Sequence, residues 1–349
     1  MKMSTRILLK QYSRPATFAA RPFLAQCQTR KSSHSPMGSQ SSRKKVTMTT
    51  LRSMYKKGEP IAVMTAHDFP SGHVADLAGM DIVLVGDSLA MVALGMEDTS
   101  EVVMEEMLMH SRSVSRAAKA AFTVCTFLYS INSCTASFTN EPNYQVGDLP
   151  MGSYEISPEQ ALESAFRFVK EGRMQGIKLE GGAEMAPTIK KITAAGIPVL
   201  GHIGLTPQRQ NSLGGFRVQG KTCAGALKVL EDALAVQEAG AFGMVVEAVP
   251  QEVAKLITEK LSIPTIGIGA GNGCSGQVLV QVDMTGNFPP GRFLPKFVKK
   301  YGDVWSESLK AITEYREETK SRAYPAPEHT YPIPEKELEE FRSAISKMD

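Results

Sequence analysis

Charged side chains in this 349-residue chain stand where short apolar runs end. Asp87-Ser88 closes "DIVLVGDS", Asp148 follows "VG", Lys178-x-Glu180 closes "GIKLE" and Glu247 closes "GMVVE". His202 in "PVLGHIGL" and Asp283 in "VLVQVDMTG" belong to two further runs. Several carboxylates brought to one rim would repel one another unless a cation sat between them. Hard oxygen donors, with no thiolate and no His pair, favour Mg²⁺ over zinc. Such an ion keeps open positions that a small α-keto acid can occupy, polarising the ketone and stabilising an enolate. A carboxylate outside the metal shell would then take the carbon-bound proton.

Each of these residues also has an ordinary structural use. A strand-end Asp caps the next helix, a strand Lys pairs with its neighbouring Glu, and a His between glycines satisfies core hydrogen bonds. For His202 and Asp283 that structural use is the preferred reading.

The groups can converge only if the runs share one sheet. Apolar runs recur at 61–68, 81–88, 176–182, 198–205, 242–250, 265–271 and 278–286, and a split run at 120–149 makes eight. Helix-period segments lie between most of them: 157–172 with Ser157 as a cap, 184–196, and 223–240 ended by Gly240. Non-alternating strands separated by helices signal a parallel sheet with helical crossovers. Eight such strands in about 240 residues fit a (β/α)8 TIM barrel, with the catalytic groups at the carboxyl ends of the strands. Ahead of the first strand, Thr49 or Thr50 is expected to cap a short helix that Gly58 ends. No helix is expected between the seventh and eighth strands. Helical stretches at 295–323 and from Glu335 are expected to pack on the barrel or on a neighbouring subunit. There is no internal repeat and no second folded domain.

"GNGCSG" (271–276) fits GxGxxG. A dinucleotide fingerprint belongs in the first βαβ unit, followed about twenty residues later by an acid. This one lies near the end of the barrel, and it is read as a tight turn at the rim, available to a ligand.

Composition narrows the function classes. Hydrophobic residues make up 42% and charged residues 21%, as in ordinary globular proteins, and no stretch has the eighteen or so apolar residues of a membrane span. No membrane partner is expected. Cys27, Cys125, Cys134, Cys223 and Cys274 are odd in number and lack CxxC spacing, which excludes a disulfide framework and structural zinc. The net charge of +3 conceals a division: residues 1–45 hold ten Lys or Arg and no acid, leaving 29 basic against 36 acidic residues in 46–349. The Arg- and Ser-rich leader, with Ile7, Leu8 and Leu9 beside Lys2, Arg6 and Lys10, reads as a mitochondrial presequence, and the matrix is the expected location. The folded domain is taken as 46–349, with no nucleic-acid role.

The motifs "VLVGDSLAM" (83–91), "VGDLPMGSYE" (146–155), "IKLEGG" (177–182), "GHIGLTPQ" (201–208), "VVEAVP" (245–250), "IGIGAGNGCSGQVLV" (266–280) and "PKFVKKY" (295–301) resemble, in order, the ketopantoate hydroxymethyltransferase family. The resemblance, to its fungal mitochondrial type, spans about 49–333. It implies a barrel of the phosphoenolpyruvate/pyruvate class that moves a hydroxymethyl group from 5,10-methylenetetrahydrofolate to 3-methyl-2-oxobutanoate. The product would be 2-dehydropantoate, for pantothenate synthesis. It further implies Asp87, Asp148 and Glu180 as Mg²⁺ ligands, directly or through water, and Asp87, Ser88, Asp148 and Lys178 as substrate contacts. Glu247 would be the general base, and a homo-oligomer, up to a decamer, is expected. His67 in "TAHD" stands where many relatives have Tyr. The alternatives are another Mg²⁺-dependent keto-acid carbon–carbon lyase of this barrel class, independent of folate, and an inactive variant.

The inactive variant is raised by residues 124–145, which have no counterpart in the family. Joining Thr123 to Val146 gives "AAFTVGDLPMGSYE", the family's third strand. A functional loop belongs at a strand end, because interrupting a core strand strands its backbone groups. The segment begins Val-Cys, contains Thr-Asn and ends in Gln, which GTATGT, ACTAAC and CAG encode. Those are the donor, branch point and acceptor of a fungal-type intron, so the segment is read as a retained intron translated in frame. Genomic and transcript sequences test that reading directly.

Overall fold

A computed structural model describes residues 43–121 and 145–348. The leader up to residue 42, and with it the presequence reading, lies outside the described residues, as does nearly all of the 124–145 segment.

Eight parallel strands close into a barrel in sequence order: β1 (Ile61–Thr65), β2 (Ile82–Val85), β3 (Val146–Asp148), β4 (Gly176–Glu180), β5 (Val199–Gly204), β6 (Gly243–Glu247), β7 (Thr265–Ile268) and β8 (Gly276–Leu279). Side chains alternate across a strand, so one set faces the barrel axis and the other the helices. Ile61, Val63, Ile82, Leu84, Val146, Leu200, Val245, Ile266 and Val278 form one buried cluster together with Val46, Leu51 and Met54. Alternate residues of seven strands can meet only inside the barrel, and the helix Met48–Lys57 closes its amino-terminal end. The intervening residues, such as Val83, Ile177, Leu179, Val199 and Met244, pack outward in a second cluster with Ala161, Ala165 and Phe168 of the helix Pro158–Lys170.

This parity places the chemistry. Two residues beyond Val146, Leu200 and Val245 come Asp148, His202 and Glu247, one step nearer the carboxyl rim on the same inward face. In β4 the inward positions are Gly176, Lys178 and Glu180, so this strand carries no apolar residue into the interior. Register completes the arrangement by setting Asp148 opposite Lys178 and Glu180 opposite His202.

Gly147 faces outward between two inward residues, and a Cβ there would lie 2.3 Å from the Phe168 ring. Gly147→Ala is expected to destabilise the fold by about 1–3 kcal/mol through overpacking, read as a lowered Tm. An unchanged Tm would mean that the helix Pro158–Lys170 yields freely.

Several local expectations change. Thr47 caps the first helix, accepting from Thr50 N–H while Thr50 Oγ1 accepts from Thr47 N–H, because Met48–Lys57 starts earlier than the apolar spacing indicates. Gly58 ends it as expected, with φ of 68°. The eighth strand is Gly276–Leu279, and Asp283 sits on the short helix Gln281–Thr285, where Arg292 lies 3.2 Å from its carboxylate. As the strands are parallel, the glycine-rich segment after β7 must return from the carboxyl rim to the amino end of β8. A Cβ on Gly271 would meet Gln251 and one on Gly273 would meet Lys255, so the segment runs down the outside against the helix Gln251–Lys260. It is a crossover without a helix, not a turn offered to a ligand at the rim. The helices Val304–Ser321 and Glu335–Ile345 bury no residue, and the first meets the barrel at its start, where Trp305 N–H donates to the Gly286 carbonyl.

Candidate active site

Asp87, Asp148, Lys178, Glu180, His202 and Glu247 meet at the carboxyl end of the barrel. Asp148, Lys178, Glu180 and His202 are almost fully buried, whereas the Glu247 side chain keeps 15% of its surface exposed. Lys178 Nζ forms a close ion pair with Asp148 Oδ2, and Asp87 N–H donates to the same oxygen at 3.4 Å. The His202 ring lies between two carboxylates, with Nδ1 3.1 Å from Glu180 Oε1 and Nε2 3.1 Å from Glu247 Oε2. The preferred structural reading of His202 therefore understates its place, while Asp283 is absent from the cluster. Ser88 follows Asp87 at the start of the helix Leu89–Val92 and makes no side-chain cap bond there.

Charge in the cluster is unbalanced. Burial alone would discharge Lys178, but Asp148, Asp87 and Glu180 outweigh it and hold the ammonium charged. Burial likewise opposes charge on His202, yet the carboxylates of Glu180 and Glu247 raise its pKa to about 9 against the opposition of Lys178. Burial pushes the Asp148 carboxyl well above its ordinary range; Lys178 opposes this, and Asp87 and Glu180 add to it.

Two fully buried carboxylate oxygens lie open to a cation. Asp148 Oδ1 is buried without a hydrogen-bond partner, and Glu180 Oε1 has the His202 Nδ1 ion-pair contact at 3.1 Å as its polar neighbour. Among the described residues, no three His, Cys, Asp or Glu side chains form a ready cage. A few carboxylate oxygens supplemented by water suit Mg²⁺, which is held by one or two carboxylates and retains several waters. The residues present fit that ion.

Two participants escaped the sequence reading. Gln208, on the turn Pro207–Arg209 after β5, donates through Nε2 to Asp87 Oδ2 at 2.8 Å. Tyr154 donates its hydroxyl to Gln208 Oε1 at 2.7 Å. Both stand inside motifs quoted above, "GHIGLTPQ" and "VGDLPMGSYE". The available signal was a polar side chain just past a strand's carboxyl end, which by itself names no partner.

The chain is similar to several known proteins. A family model described as ketopantoate hydroxymethyltransferase matches residues 45–140 and 132–327. A 3-methyl-2-oxobutanoate hydroxymethyltransferase of Emericella nidulans is 68% identical over 324 residues, covering 92% of this chain and 86% of the relative. The rice (Oryza sativa subsp. japonica) protein named 3-methyl-2-oxobutanoate hydroxymethyltransferase 1, mitochondrial, is 46% identical over 310 residues, covering 87% and 79%. Among solved structures, a phosphonopyruvate hydrolase superposes with a TM-score of 0.50 at 11% identity, covering 86% of this chain and 96% of the other, a likeness of fold alone.

Proposed function

The chain belongs to the ketopantoate hydroxymethyltransferase family and is an enzyme of 3-methyl-2-oxobutanoate hydroxymethylation; from that premise we propose which groups carry the reaction and what they act on. The one-carbon donor is 5,10-methylenetetrahydrofolate, the metal is Mg²⁺ and the product, 2-dehydropantoate, feeds pantothenate synthesis. The observation that carries the reading is the series of contacts Asp148–Lys178 and Glu180–His202–Glu247, which sets one basic carboxylate at the exposed end of a buried, charged cluster.

Mg²⁺, when held by Asp87 and Asp148 with Glu180 directly or through water, supplies Lewis-acid polarisation of the keto oxygen. Lys178, charged and fixed against Asp148, holds the keto acid and offsets the negative charge that develops as the enolate forms. Ser88 and the Asp87 backbone complete the substrate contacts. Glu247 removes the proton from the branched carbon. His202 holds one of its oxygens, Oε2, leaving the other for that proton. Both carbon–nitrogen bonds of the methylene bridge break, one as the enolate carbon bonds to the methylene carbon and one as water supplies the hydroxyl, and the proton from the branched carbon and one from water end on the two folate nitrogens. The chain acts in mitochondria, as the name of the rice relative says of that protein. It also self-associates, with Leu309, Ile312 and Tyr315 exposed on one unburied helix as the available contact.

Folate dependence separates this reaction from a keto-acid lyase. Incubated with Mg²⁺, 3-methyl-2-oxobutanoate and ¹³C-methylene tetrahydrofolate, the enzyme should place the label in a hydroxymethyl group on a quaternary carbon, with no carbon–carbon chemistry when folate is omitted. Keto-acid cleavage or condensation without folate would assign the site to the lyase.

A further inference from the structure

We propose that Gln208, locked by Tyr154, is the positioning residue that presents Asp87 and Glu180 to the divalent cation. The proposal rests on the metal reading above. Gln208 and Tyr154 are 2% and 1% exposed, so neither side chain can satisfy its polar atoms with bulk water. Both Nε2 protons of Gln208 are used, one on Asp87 Oδ2 at 2.8 Å and one on the Leu149 carbonyl at 3.0 Å. Its backbone N–H donates to Glu180 Oε2 at 3.1 Å. One residue after β5 thus holds the ends of β2, β3 and β4.

The orientation of the amide follows from its neighbours. Asp87 Oδ2 and the Leu149 carbonyl are both acceptors, so the side facing them must be the NH₂ group. The opposite side, the amide oxygen, meets the Tyr154 hydroxyl at 2.7 Å. A flipped amide would set its oxygen against two acceptor oxygens.

The consequence is a division of labour within each carboxylate. Gln208 ties Oδ2 of Asp87 and Oε2 of Glu180, which leaves Asp87 Oδ1, and Glu180 Oε1 beside His202 Nδ1, as the oxygens to meet a cation. A neutral amide does this without adding charge, where a Lys would compete with the cation and a Glu would repel Asp87. Partners that orient ligating carboxylates typically change metal affinity 10–100-fold when lost.

The test is Mn²⁺ affinity of the full chain, measured by the electron paramagnetic resonance signal of free Mn²⁺, for the wild type, Tyr154→Phe, Gln208→Leu and the double variant. Metal-free Tm is recorded for each. Gln208→Leu should weaken Mn²⁺ binding about 10–100-fold. Tyr154→Phe, which keeps the ring and its packing, should weaken it about three- to tenfold, the net worth of one hydrogen bond. The double variant should match Gln208→Leu, because the tyrosine acts only through the amide. Wild-type affinity in a folded Gln208→Leu would overturn the positioning role while leaving the metal site standing. Should Gln208→Leu fail to fold, Tyr154→Phe decides alone, and unchanged affinity there overturns the proposal. Absence of Mn²⁺ binding by the wild type would overturn the metal reading and the proposal with it.

Discussion

Glu247→Gln is expected to slow Mg²⁺-dependent deuterium uptake at the branched carbon of 3-methyl-2-oxobutanoate by about 10³-fold, within the usual range for loss of a general base. Exchange without folate isolates proton abstraction from one-carbon transfer. Glutamine matches glutamate in shape, and its amide oxygen can still accept from His202 Nε2, now 3.1 Å from Glu247 Oε2. Keto-acid binding should therefore change only a few-fold, because Asp148 and Lys178 are untouched. An amide has no lone pair basic enough to take a proton from carbon, so the loss falls on kcat. Nuclear magnetic resonance reads the exchange and calorimetry the binding. A Glu247→Gln enzyme that exchanges at the wild-type rate would remove Glu247 from the role. One that loses keto-acid binding would make it a substrate contact instead.

Removing residues 124–145 should change the protein as much: a higher Tm and a large gain in the same exchange. The flanks explain why. On the incoming side Asp76 accepts the backbone N–H groups of Lys119, Ala120 and Ala121, and Ala120 and Ala121 are buried. On the outgoing side Gln145 is fully buried, with Nε2 donating to the Val114 carbonyl at 2.5 Å and Oε1 left without a partner. An unpaired buried oxygen costs about 1–3 kcal/mol. Closing a loop of this length adds about 3 kcal/mol of chain entropy.

The register shows what the joined chain would gain. Leu84 pairs with Val146, so Val83 and Ile82 of β2 face the two positions before it. In the joined chain those positions are Thr123 and Phe122, β-branched and aromatic residues suited to a strand. The family model breaks in this region, matching up to residue 140 and again from 132. Comparing exchange and Tm of the two forms decides the matter. Equal exchange and equal Tm would make the segment a tolerated loop, and a deleted form that is less stable would make it part of the fold.

The eight-strand parallel barrel and the residues of its carboxyl rim were readable from the sequence because eight non-alternating apolar runs, separated by helical segments, each end in the charged residues that parallel strands bring together. Once Val146, Leu200 and Val245 are taken as inward, Asp148, His202 and Glu247 must follow on the same face, and parallel strands bring those ends to one rim. Other features were not readable. Thr47 rather than Thr49 or Thr50 caps the first helix, since capping depends on a hydrogen bond and not on the apolar pattern. Asp283 left the site because β8 ends at Leu279, in a closure set by pairing with Ile61 through Met64. The Gln208 bond to Asp87 joins residues 121 positions apart, and the Tyr154 bond to Gln208 joins residues 54 apart. Local periodicity sets the face a strand residue occupies, so the barrel and its charged rim follow from the order of residues alone. Which oxygen of each carboxylate is tethered, and which is left for a cation, depends on angles between side chains from different strands, and those angles exist only once the barrel has closed.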